Sequence, residues 1–153
     1  MITITAPIFP RASNHLFRSF SEYSYCIISK IKIDNDTYDY DVLFLGRVSS
    51  EKDPERFVRI VSLLVKCIPS LKAAIVGTSN YEERTKNLCK KLKLDNNISF
   101  LGFKSNPYKI LLNSKVMLVT SVREGSPLSV IEAMTLGIPV ISTDIAGVRE
   151  IIK

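Results

Sequence analysis

DVLFLGRVSSEKDPERFVRIVSLLVKC (41–67) passes from an apolar run, through a polar turn, into a helical repeat of apolar residues. Asp41–Gly46 reads as a buried strand and 47–53 as a turn. Asp53 is placed to cap a helix with Pro54 at its first position, because a capping carboxylate satisfies a free N–H and proline has none to satisfy. Phe57, Ile60, Val61, Leu64 and Val65 recur at the period of an inward helical stripe, and the helix is expected to run to about Cys67.

The same unit returns four times. LKAAIVG (71–77) is a second strand, followed by a charged amphipathic helix over about 80–94. Residues 97–101 form a third strand before a short helix at 107–113. KVMLVTS (115–121) is a fourth, before a helix at 127–136. Residues 139–142 are a fifth, with a further helical start at Gly147. Strands alternating with helices predict an α/β fold, a doubly wound, Rossmann-like parallel sheet with right-handed crossovers. Residues 41–153 are assigned to that domain. Residues 1–40 lose the rhythm and read as a partly irregular lead-in or linker, with one strand near Cys26–Ile33 and the polar connector DNDTYDYD at 34–41.

At 153 residues, 46% apolar and 24% charged, the chain has the size and composition of one domain with its own core. Arg11, His15, Arg18 and Glu22 interrupt the apolar patches near the start. No run reaches the ~18 apolar residues of a membrane helix, and no secretory leader pattern is present. A cytoplasmic protein is therefore expected. Three cysteines without a C-x-x-C pair, and a single histidine, argue against a disulfide framework or a zinc site. Cys67 and Cys89 lie in helical patterns and are expected as buried thiols. The net charge of +6 favours polyanions, phosphorylated ligands or an anionic surface. Lys86, Lys90, Lys91 and Lys93 read as a solvated helix face. A nucleic-acid-binding signature and the G-x-G-x-x-G of a dinucleotide site are both missing.

Ligands of such sheets bind beyond the carboxyl ends of the strands, where strand order switches. This selects 46–53, 77–80, 102–106, 121–127 and 143–147. In Ser121–Pro127, Gly125 permits close backbone approach, Ser126 can cap and Pro127 can start the helix. The N–H groups of Leu128 and Ser129 would then point outward at a helix N-terminus, a place for a phosphate. Arg47 and Lys52 can add charge-assisted bonds to the same anion. A plain helix start with Arg47 paired to a surface acid is the competing reading. Glu124 precedes that helix, and Glu132 lies within it on an apolar turn. A buried carboxylate needs donors, either a sugar diol or an Arg or Lys partner.

EGSPLSVIEAMTLGIPV (124–140) resembles the E-x7-E signature of retaining glycosyltransferases of the GT-B fold, above all the family-four type called group 1. Phe44–Arg47 with Glu51-Lys52 looks like that group's phosphate-binding loop. Ile75–Gly77, Ile98–Gly102 and Gly147–Glu150 follow in the expected order. Ala146 stands where the family often has a second glycine, and Gly77-Thr78-Ser79 lacks its common G-x-G. His15 has no motif context to make it the family's donor-site histidine.

The resemblance implies the nucleotide-sugar-binding half of a two-domain enzyme, incomplete after Lys153 and without its acceptor-binding N-terminal half. It implies that Arg47 and Lys52 hold the donor diphosphate, aided by Ser126 and the backbone of Leu128 and Ser129. Glu124, with Gly125 and Ser126, would face the transferred sugar, Glu124 being the catalytic-site acid. Glu132 would bind the ribose, and Phe103 and Lys104 would border the base. The implied reaction is hexosyl transfer with retention from a nucleoside diphosphate sugar, UDP-linked by preference, in glycan or polysaccharide synthesis. No metal and no cofactor are implied, since the cations neutralise the leaving diphosphate and a D-x-D motif is missing. The partners implied are the sugar donor, a glycan or lipid-linked acceptor, and peripheral contact with the inner face of a membrane in the full-length enzyme, with no nucleic acid. The alternative is a nucleotide-sugar-binding module without turnover.

Overall fold

A computed structural model describes residues 2–5 and 38–151. Six strands form one sheet: β1 (Ile2–Thr5), β2 (Tyr40–Leu45), β3 (Ala73–Val76), β4 (Ile98–Gly102), β5 (Ser114–Val119) and β6 (Val140–Thr143). Five helices intervene: α1 (Pro54–Val65), α2 (Glu82–Lys91), α3 (Tyr108–Leu112), α4 (Leu128–Thr135) and α5 (Ala146–Arg149). The strand order is β1-β6-β5-β2-β3-β4. All pairings are parallel except β1 with β6. The five strands read from the sequence are β2 to β6, and the fold is the α/β, Rossmann-like arrangement expected. The β1 edge strand was not foreseen, since its four residues fall in the stretch 1–40 that was expected to be a partly irregular lead-in. The expected strand near Cys26–Ile33 lies outside the described residues.

Side chains alternate across a strand, so each one serves two cores. Val42, Phe44, Ile75, Val116 and Leu118 point to the face covered by α1 and α2, where Phe57, Val61, Leu64 and Cys89 meet them. Leu43, Ala74, Val76, Met117 and Val119 point to the other face, covered by Leu111 of α3, Val130 and Ala133 of α4 and Val148 of α5. Helices on both faces are the physical content of a doubly wound sheet.

The α1 start is as expected: Asp53 caps it, its carboxylate accepting from the Arg56 N–H at 3.0 Å, with Pro54 in the first turn. Its end is not. The helix closes at Val65, and Cys67 falls in the following turn, so this thiol is exposed whereas Cys89 is buried. The periodicity that placed Cys67 inside ran past the helix it belonged to. Along the chain β2, β3 and β4 step one way, and β5 returns to the opposite side of β2. The switch in strand order therefore lies between β2 and β5. Of the five candidate loops, those after these two strands flank it.

Candidate functional site

The crevice between β2 and β5 is built by backbone first. The Val122 N–H donates to the Glu51 carbonyl at 2.8 Å, tying the two loops together. The Thr120 hydroxyl reaches the carbonyls of Lys52 and Asp53, each at 2.9 Å. The Thr143 hydroxyl donates to the Ser121 carbonyl at 2.6 Å, tying in the end of β6. Two glycines allow the close approach. Gly77 has φ +133°, and a Cβ there would lie 1.9 Å from the Gly46 carbonyl oxygen. A Cβ on Gly147 would lie 2.6 Å from the Glu124 carbonyl oxygen, so α5 begins hard against the 124–125 loop.

On this frame Lys52 and Glu124, 72 residues apart, form an ion pair through Nζ and Oε1. The Glu124 side chain is only 6% exposed and that of Lys52 25%. The Ser121 hydroxyl donates to the same Oε1 at 2.7 Å. A cleft of about 710 Å³ opens here, lined by Arg47, Ser49, Lys52, Arg123, Glu124 and Gly125 together with Glu51. A second cleft of about 550 Å³ shares Glu51, Arg123 and Glu124 and extends to Asp144 and Ala146. Arg149 pairs with Asp144, and its hydrogen bonds hold that carboxyl below the usual range.

The structure thus brings Arg47, Lys52, Glu124 and Gly125 to one cleft. Arg123 joins them, a cation of the 121–127 loop that was not among the expected site residues. Its signal was its position beside Glu124 in the switch-point loop. Ser126, Leu128 and Ser129 follow at the start of α4 and do not line that cleft. Two local expectations fail there. Ser126 makes no capping bond; Pro127 takes the cap position with φ −80° and ψ 75°. That is the geometry of an inverse γ-turn, and it closes the Leu128 N–H onto the Ser126 carbonyl at 3.0 Å. The Leu128 N–H is therefore already engaged, while Ser129 lies one residue further into the helix.

Glu132 is half-buried rather than enclosed. Its carboxylate accepts from the Tyr108 hydroxyl of α3 at 3.2 Å, and that bond raises the Tyr108 pKa. Tyr108 was missed because nothing local in the sequence connects α3 to α4. Phe103 and Lys104 are exposed in the loop after β4, two strands from β2 and so about 10 Å across the sheet.

The family profile described as Glycosyl transferases group 1 matches residues 28–153. The chain belongs to the group 1 glycosyltransferases. It is 37% identical over 109 residues to an uncharacterised glycosyltransferase of Methanocaldococcus jannaschii, covering 71% of this chain and 27% of that protein. It is 33% identical over 105 residues to the poly(glycerol-phosphate) alpha-glucosyltransferase of Bacillus subtilis, covering 69% of this chain and 16% of that one. Among solved structures it is similar to an S. aureus TarM variant crystallised with fondaparinux, alpha-GlcNAc-glycerol and UDP, with TM-score 0.71 and 25% identity over 80% of this chain and 25% of TarM. The chain spans about a quarter of the length of the M. jannaschii relative. The group 1 chain has the GT-B type of Rossmann-like domain. No helix among its described residues is long and apolar enough to cross a membrane.

Proposed function

We propose that this chain binds the nucleoside diphosphate sugar donor of a retaining hexosyltransferase acting in glycan or polysaccharide synthesis. The observation that carries the proposal is the convergence of Arg47, Lys52 and Glu124 on one cleft at the switch point of the sheet. Two cations on one loop suit a diphosphate, whose oxygens accept charge-assisted hydrogen bonds. As the glycosyl bond breaks, charge grows on the departing diphosphate, and fixed cations there lower the barrier without a metal ion. Glu124, held at one oxygen by Ser121 and Lys52, keeps its Oε2 for sugar hydroxyls. Glu132, within α4 and already accepting one hydroxyl, suits the ribose. Phe103 and Lys104 suit the border of the base, and the exposed ring offers a stacking face.

UDP is the favoured nucleotide, supported by its presence in the similar TarM crystal. The acceptor, a glycan or lipid-linked sugar, would be presented by further chain of the kind the longer relatives possess, acting in the cytoplasm at the inner face of a membrane. The test is titration of UDP, GDP and ADP sugars against the chain in chelator, followed by thermal shift. Stabilisation by one of the three is expected. Absence of binding by all, or binding only after magnesium is restored, would overturn the metal-free donor site.

A further inference from the structure

Lys52 is already occupied. Of the three cations lining the cleft, Arg47 and Arg123 are exposed and make no ion pair among the described residues, whereas Lys52 is bound to Glu124. The Lys52 ammonium has three N–H donors but one positive charge, and a diphosphate would compete with the Glu124 carboxylate for it. The Ser121 hydroxyl is buried behind Glu124 and bonds the same oxygen, so the carboxylate stays where it is when Lys52 leaves.

We propose that the Lys52–Glu124 pair is a counter-ion exchange that makes the site prefer the intact sugar donor over the bare nucleoside diphosphate. The inference rests on the donor reading above and adds a sign to it. An arriving diphosphate draws Lys52 away and leaves Glu124 as an uncompensated, largely buried carboxylate beside new negative charge, which is unfavourable. With a sugar attached, its hydroxyls donate to Glu124 and replace the lost partner. With the sugar gone, nothing does. After transfer, the same penalty weakens retention of the product diphosphate, and Lys52 returns to Glu124.

The test compares UDP and UDP-glucose on the whole chain carrying Glu124→Gln, by calorimetric titration. The amide keeps an acceptor for Ser121 but removes the charge that holds Lys52. Glu124→Gln is expected to tighten UDP about fivefold, equivalent to about 1 kcal/mol, and to shrink the preference of the site for UDP-glucose over UDP. Unchanged or weaker UDP binding by this variant would overturn the exchange. Arg47→Ala serves as the separate check on the donor reading. If it weakens UDP while Glu124→Gln fails to tighten it, the exchange is wrong and the donor site stands; if Arg47→Ala has no effect, the donor reading itself fails. As a second measurement, the Glu124 carboxyl carbon resonance should shift on saturation with UDP. A resonance that does not move would show that Lys52 never leaves, and would overturn the exchange even if the variant misfolded.

Discussion

Arg47 and Lys52 enter the cleft from the same loop in different states, one exposed and without an ion pair among the described residues, the other three-quarters covered and bound to Glu124. Both should matter to a diphosphate and neither to a bare nucleoside. Arg47→Ala and Lys52→Ala are each expected to weaken UDP by about 1.5–3 kcal/mol, the range for hydrogen bonds to charged groups. Uridine should bind all three proteins alike. Glu132→Gln should weaken UDP and uridine by the same factor, since the ribose is common to both; isotherms for the pair of ligands decide it. The cysteines offer an independent check on the packing. Burial, with a smaller contribution from Asp95, pushes the Cys89 thiol up to about 11, so at pH 8 it is both shielded and protonated. A thiol-reactive dye at that pH should label Cys67 quickly and Cys89 only on unfolding. Two fast thiols in this part of the chain would contradict the packing of α2. Lys52, Arg47 and Glu124 were legible in the sequence because each sits in a short run whose residue types match its chemistry. The pairing of Lys52 with Glu124 was not, because it joins residues 72 positions apart and depends on which strands are neighbours. Tyr108 escaped for the same reason.

At the level of elements, the loops after β2, β3 and β5 have to approach within van der Waals contact, and glycine makes this possible at Gly77. Gly77→Ala is expected to cost about 1–3 kcal/mol from its left-handed backbone alone. The clash with the Gly46 carbonyl adds to that, and urea denaturation would measure the sum. A variant as stable as the parent would mean that the two loops are further apart. Strand and helix positions were legible because the apolar runs of β2 through β6 alternate with helical patterns, and Asp53-Pro54 marks the start of α1 outright. Ends were less so: α1 closes at Val65 where its apolar pattern continues to Cys67. The start of α4 was misread because Ser126-Pro127 suits a capped helix as well as it suits the γ-turn that forms, and local sequence does not separate them.

For the whole molecule, the proposed function leaves the acceptor to further chain of the kind the longer relatives possess. Group transfer needs an acceptor held in near-attack geometry, and that orientation is worth about 7–11 kcal/mol of barrier. Binding without turnover is therefore expected of this chain alone. Incubation with a UDP sugar and a polyisoprenyl or sugar acceptor should yield no glycosylated product, whereas product would show that this chain holds the acceptor by itself. The order of strands was the part of the architecture that local patterns could not supply. It is also the part that singles out the loops after β2 and β5 from five candidates. The most direct measurement is therefore amide chemical-shift mapping of the chain titrated with UDP in chelator. Perturbations concentrated at 46–52 and 121–125 are predicted. Perturbations confined elsewhere, such as the polar hollow at the opposite strand ends lined by Tyr38, Lys72 and Asn97, would contradict a donor site in this crevice.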